Sequence, residues 1–434
     1  MEILLVAGYT AIFLFIIHRW KFFRPEIIPV RWVKILFVTK VIAGCLLGLV
    51  YTYYYTDRST ADTFKFFDDS KILFGTLFTS PGEFFNIFFG LHDKSGKCFE
   101  ICSQMTAWNN KDVLFNDNKT LVRLNVFFHF FSIGNYYVHV VFLNFFSFTG
   151  LIALFRLFQH YAKKKSKIIF LTMMFLPSVL FWGSGLLKDG LLLFALGILL
   201  YSFNNLITSG YTRRNIIAFC LSLVLLMFTK LYVLFIITPA LIAWFWSRNN
   251  TGRTVIFKFI SCYILYLFIG FNIDKVSEKY DLVDLIYYKQ QNFNVLANTS
   301  RANSIITIPN IEPTAWSLLK HSPNAIWRVL IRPNVFDSGS ILIQLSAIEN
   351  IFILAMVVFC MLFANKRMIH STHLFCLSIF FVLLMFALIG LITPILGAMV
   401  RYKVPALLFL VFIFISIADE SKIKSKFPVM RKLM

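Results

Sequence analysis

Apolar runs of about 20 residues, each long enough to cross a bilayer as a helix, recur from one end of this chain to the other with short charged breaks between them. Lipid leaves a backbone two solutions, helices and closed barrels, because every N–H and C=O must be satisfied within the protein. Barrel strands alternate apolar and polar residues over about ten positions, and runs such as FCLSLVLLMF do not alternate. The expected fold class is therefore all-α, a polytopic membrane protein. Composition agrees with this: of 434 residues 58% are hydrophobic, 52 are Phe and only 15% are charged, too little polar surface for a soluble globule of this size.

Eleven transmembrane helices are expected, near 2–18, 33–55, 135–158, 168–186, 190–208, 215–229, 231–247, 255–271, 342–364, 373–393 and 403–418. MEILLVAGYTAIFLFIIH lacks a basic leader and is followed by RWKFFR, so it reads as a first span and not as a cleaved signal. With the N-terminus outside, the inner segments become RWKFFRPEIIPVRWVK, HYAKKKSK, YTRRN, SRNNTGRTVIFK, NKRMIHSTH and the tail KIKSKFPVMRKLM, and every one is basic. The net charge of +21 is thus spread over short inner loops, with no separate basic domain for nucleic acid.

Residues 1–434 read as one integral membrane domain with two extracytoplasmic loops, 56–134 and 272–341, too long to be mere connectors. EFFNIFFGLH and LVRLNVFFHFFSIG set aromatics beside polar and charged residues, which suits helices lying in the headgroup layer. Cys98 and Cys102, in KCFEIC, fall in the first loop. An oxidising compartment permits a bridge there, but a four-residue spacing is at the edge of disulfide geometry, so bridged and free states both stay open. No tetrahedral His and Cys set accompanies them, and no metal site is expected.

Three stretches carry groups suited to chemistry. PSVLFWGSGLLKDG runs from a kinking Pro177 through small residues to Lys188 and Asp189 at the expected outer mouth, where a polar headgroup would sit. The plain alternative is a pair that ends a helix and snorkels. DRSTADTFKFFDDSK places Asp57, Asp62, Asp68 and Asp69 at a membrane exit. A carboxylate there can take the proton of an attacking hydroxyl, and partial burial raises its pKa toward working pH. The alternative is a solvated acidic turn. GAMVRYKVP sets Arg401 and Lys403 at an outer mouth against the positive-inside trend, which favours an anionic partner, a specific phosphate or bulk lipid headgroups. Arg301, Arg328 and Arg332 add cations from the second loop. His129 and His139 read as hydrogen-bonded packing residues. No phosphate loop, nucleophile elbow or zinc signature appears.

Together these stretches resemble the multi-spanning glycosyltransferases of the C-type superfamily and the related bacterial polysaccharide polymerases. ADTFKFFDDS is similar to the family's first-loop pattern, with Asp62 at the Asp position and Phe66 where a Tyr is usual, and PSVLFWGSGLLKDG is similar to its Pro-Ser, Phe-Trp, Ser-Gly, Lys-acid segment. VRLNVFFHFFSIGNYYVH and RYKVP add to the likeness. The resemblance implies an enzyme at the outer face of a bacterial cytoplasmic membrane whose donor substrate is a polyprenyl-phosphate-linked sugar. Asp62 would be the catalytic base, with Asp69, Lys188, Asp189, Arg301, Arg401 and Lys403 binding substrate, and membrane lipid and a lipid-linked glycan as partners. Phe66 removes a hydroxyl the pattern expects. A flippase for lipid-linked oligosaccharide and a non-catalytic envelope scaffold stay open beside it. Against the flippase, Lys40, His139, Arg156 and Lys230 lie near span ends or stand alone, and no acidic residue is expected mid-span.

Overall fold

The computed structural model describes residues 2–55, 58, 61–91, 96–108, 116–275, 281–299, 304–337, 339–369 and 371–427. Among them the chain is 82% helical with no strand, as lipid requires of a non-barrel. Among the described residues, eight helices are long and apolar enough to cross a membrane: α1 (Glu2–Arg19), α2 (Val30–Tyr53), α7 (Tyr136–Tyr161), α10 (Lys188–Thr208), α13 (Arg253–Gly270), α16 (Ile341–Leu362), α17 (Thr372–Ile392) and α18 (Leu396–Ile417). This is the pattern of a multi-pass membrane protein. α11 (Arg213–Thr229) and α12 (Leu231–Ser247) are shorter, at 17 residues each.

Two expected helices come out differently. The fourth is broken into α8 (Ser166–Met174) and α9 (Pro177–Trp182). Pro177 has no N–H to give and disfavours helix in the residue before it, yet it fits the first turn of a new helix. The last starts at Leu396, earlier than expected, so GAMVRYKVP is the opening of α18 and not a loop. The expected first loop contains α3 (Asp62–Thr79), α4 (Pro81–Phe89), α5 (Gly96–Ser103) and α6 (Asp117–Ser132). The second contains α14 (Leu282–Thr299) and α15 (Ala315–Ile331), and α19 (Glu420–Lys426) closes the described chain. Cys98 and Cys102 are both buried on α5 and not bridged to each other, and Cys98 Sγ donates to Glu83 Oε2 at 2.5 Å.

The chain divides into two compact units. The first comprises residues 1–157 and 179–231. Its membrane-length helices pack through rings and glycines: Phe13 stacks on Phe145 with centroids 4.3 Å apart, and Phe23 on Phe148 at 5.6 Å. Gly197 of α10 lies against the backbone of Gly150 in α7, where any Cβ would meet the Gly150 carbonyl. α3 buries Phe64, Phe66, Phe67 and Leu73 and packs on α4 and α6, while α6 also contacts α10 and α11. The second unit, residues 158–178 and 232–434, is arranged around α17, which packs against α13, α14, α15 and α18. α15 comes so close that Gly390 of α17 touches the backbone of Ala325.

Candidate functional site

In the first unit, Asp69 fixes the local geometry. Its side chain is buried on α3, and its two oxygens accept from the amides of Thr106 (2.9 Å), Ala107 (2.7 Å) and Trp108 (2.7 Å). Burial pushes this carboxyl up from its ordinary value, and the three N–H groups act against that shift. The clamped 106–108 segment then places α6, because Ala107 O accepts from Asn118 Nδ2 at 3.1 Å. Asn116 caps α6 by accepting from the amides of Asn118 and Lys119. Thr120 Oγ1 ties α6 to the end of α11 through Phe228 O at 2.9 Å.

The first residues of α6 and α10 meet as a result. Lys188 Nζ donates to Asp117 Oδ2 and Asn118 Oδ1, each at 2.8 Å, and Lys230 Nζ lies 3.6 Å from the same Asp117 oxygen. Asp62 is the first residue of α3, and the Phe66 ring one turn along that helix lies 5.7 Å from the Lys188 ammonium. Both lysine side chains are about nine-tenths buried, at 13% and 9% exposure, while Asp117 keeps 37%. Two cations thus converge on one carboxylate in a half-buried corner, with α3 packed beside it through Phe66. Such a corner can hold an anion beside a proton acceptor.

Behind it lies a second polar layer. Lys40, wholly buried in α2, donates to Gly183 O (2.9 Å) and Ser184 Oγ (3.0 Å). Ser147 Oγ donates to Gly183 O and Asn144 Nδ2 to Ser184 O, at 2.6 and 2.7 Å. Gly44 leaves room for this turn, since a Cβ there would strike the Ser184 carbonyl. These bonds hold the non-helical residues 183–187, from which Lys188 emerges as the first residue of α10. Asp189 is buried beside it at 3% exposure.

The second unit holds its own polar set. Lys403 lies inside α18 and is buried, with Nζ donating to Arg332 O (2.8 Å) and Asn350 Oδ1 (2.9 Å). Those acceptors are why α18 continues through a charged residue expected to end it. Arg401 is a half-buried neighbour on the same helix. Arg332 pairs with Asp337 at 2.9 Å and Arg328 donates to Gly390 O at 3.1 Å. Arg301 and Asp57 lie outside the described residues. Glu349, also buried, sits two turns into α16 and accepts from the Ser178 amide and hydroxyl at the start of α9, the hydroxyl at 2.8 Å.

Sequence reasoning missed Asp117, Asn118 and Glu349 and misjudged two lysines. An acid does lie within a membrane-length helix, because Glu349 serves as the cap that α9 needs after the Pro177 break. Lys40 and Lys230 do not stand alone. Asp117 carries one usable local signal, its place in NDNKT just ahead of an apolar run, where an acid suits the first turn of a helix. His129 and His139 are packed together, ring centroids 4.4 Å apart, and bonded to Ser70, Ser132 and Asn125. Comparison of this chain with family models, with curated proteins and with solved structures finds no match.

Proposed function

We propose that this protein is a membrane glycosyltransferase or polysaccharide polymerase. It uses a polyprenyl-phosphate-linked sugar at the outer face of a bacterial cytoplasmic membrane. The observation that carries this reading is the convergence of Lys188 and Lys230 on Asp117 at one corner of the first unit, beside the helix α3 that begins with Asp62 and sets Phe66 against Lys188. An acceptor hydroxyl attacks the anomeric carbon, its proton passes to Asp62, and the bond to the carrier phosphate breaks with the electron pair leaving on the phosphate. Lys188 and Lys230 then stabilise the departing phosphate at the moment its charge grows. Asp117 and Asn118 hold Lys188 extended until the phosphate competes for it.

The test is glycan assembly on the lipid carrier in cells carrying Asp62→Asn at wild-type protein level. A positioned base contributes about 10² to 10⁴-fold, so turnover should fall by that much. Asp68→Asn is the control, because Asp68 pairs outward with Arg58 at 2.7 Å and is 42% exposed. Normal assembly in the Asp62 variant removes the assignment.

A second reading, passage of a lipid-linked oligosaccharide through the bilayer, draws on Glu349, an acid buried in a membrane-length helix. It requires Glu349→Gln to stop glycan export while carrier-linked intermediates accumulate inside. Under the transferase reading that substitution acts only through folding.

A further inference from the structure

In the second unit a cavity of about 180 Å³ opens where α7 ends, α17 begins and α18 gives way to α19. Its apolar side is formed by Phe375 and Phe412, its polar side by Lys164, Ser371, Ser421 and Glu420. Three membrane-length helices end here, so a group in this cavity lies at headgroup depth with its apolar side toward hydrocarbon. The wall carrying Glu420 is fixed. Asp419 accepts from the Ser421 amide (3.0 Å) and from Asn365 Nδ2 (2.8 Å), and its own amide donates to Phe363 O at 2.8 Å.

The polar groups are matched on one side only. Glu420 Oε2 accepts from Lys424 at 3.2 Å, but Glu420 Oε1 is buried and receives no hydrogen bond among the described residues. Leaving a buried carboxylate oxygen without a donor is costly. Lys165, the nearby cation, faces Glu420 through its charge but spends hydrogen bonds of its Nζ on Ser416 O and Ala418 O, at 2.7 Å each. Lys164, at the opening, is exposed and has no ion pair among the described residues. The cavity therefore asks for a hydrogen-bond donor at its inner end and an anion at its rim, with an apolar continuation.

We propose that it takes a phosphoethanolamine headgroup, the primary ammonium on Glu420 Oε1 and the phosphate beside Lys164. A choline headgroup has no N–H to give Glu420. A glycerol headgroup offers Glu420 Oε1 only neutral hydroxyls, weaker donors to a carboxylate oxygen than an ammonium. The ligand is a membrane phospholipid or a soluble phosphoethanolamine ester, and the experiment separates the two.

The full-length chain is purified in mild detergent and offered an equimolar mixture of phosphatidylethanolamine, phosphatidylglycerol and phosphatidylcholine, and bound lipid is counted by native mass spectrometry. Phosphatidylethanolamine should be retained about tenfold over either competitor, the loss associated with one charge-assisted hydrogen bond. Glu420→Gln should erase that preference. Lys424→Ala should keep it, since it frees Glu420 without removing it, and this guards against a fold defect at α19. Lys164→Ala should lower retention of both phosphatidylethanolamine and phosphatidylglycerol. Equal retention of the three lipids by the natural chain, or a preference that survives Glu420→Gln, overturns the proposal. Displacement of the lipid by soluble phosphoethanolamine identifies the free ester as a sufficient ligand; failure to displace it assigns the site to the lipid.

Discussion

Lys188 and Asp117, 71 residues apart in the chain, meet at 2.8 Å as the first residues of α10 and α6, and Lys230 approaches the same carboxylate oxygen. Asp117 therefore separates two ammonium groups that would otherwise repel. Asp117→Ala should destabilise the first unit by about 1 to 3 kcal/mol, the range for a hydrogen bond to a charged group. Adding Lys188→Met should restore much of that loss, because one of the repelling charges goes with it. A double-mutant cycle read by thermal unfolding in detergent checks this. Strict additivity of the two substitutions would mean that the contact has no energetic content.

Gly197 and Gly150 set the distance between α10 and α7. Gly197→Ala places a methyl group against the Gly150 carbonyl, and backbone cannot rotate away as a side chain can. The expected effect is a destabilisation of about 1 to 3 kcal/mol and a lower melting midpoint. Gly75→Ala, on α3 with open space around its Cβ position, should leave the midpoint unchanged or raise it.

His129, on α6, has its pKa lowered to about 4, first by burial and then by the charge of Lys71, with the Phe67 carbonyl working the other way. Its folded pKa lies below its ordinary value near 6.5. The stability it confers is therefore whole above pH 6.5 and is lost as pH falls toward 4, where the folded chain also takes the proton. At pH 5 the loss should be about 2 kcal/mol. Melting curves of the natural chain and of His129→Gln between pH 7 and 5 test the sign: the difference between the two should shrink on acidification.

HYAKKKSK, NKRMIHSTH and the tail after Ala418 all contribute to the walls of one cavity, so they must lie on the same side of the bilayer. Cysteines placed at Lys163, Lys366 and Lys422 should be protected together from an impermeant thiol reagent in whole cells, given the positive-inside rule. Labelling of one but not the others would contradict the shared wall, and labelling of all three would invert the expected topology.

What was legible in the sequence follows from how local each signal is. The long helices could be read because 18 to 26 predominantly apolar residues leave lipid few alternatives, as α17 and α7 show. Pro177 announced a kink and delivered a full break, since Glu349 was available from α16 to cap the new helix start. Lys403 misled for the opposite reason: a charge reads as a span end only until its acceptors, Arg332 O and Asn350, are known. The corner formed by Asp117, Lys188 and Lys230 joins three segments far apart in the chain. One of its members, Lys188, stood out as a charge in a short distinctive stretch. Lys230 looked isolated and Asp117 unremarkable, because no spacing rule connects residue 117 to residues 188 and 230.

Lys40 bears on the order in which the molecule can be made. Its acceptors Gly183 and Ser184 lie 143 and 144 residues further along the chain. While the ribosome is still producing α3 to α9, α2 carries an ammonium midway along a membrane-length helix with none of its final acceptors synthesised. The second helix can be threaded early, but it reaches its final state only when the turn before α10 emerges. The first unit is thereby locked from its later half. A chain truncated before residue 183 retains Lys40 without the groups that make it tolerable in lipid.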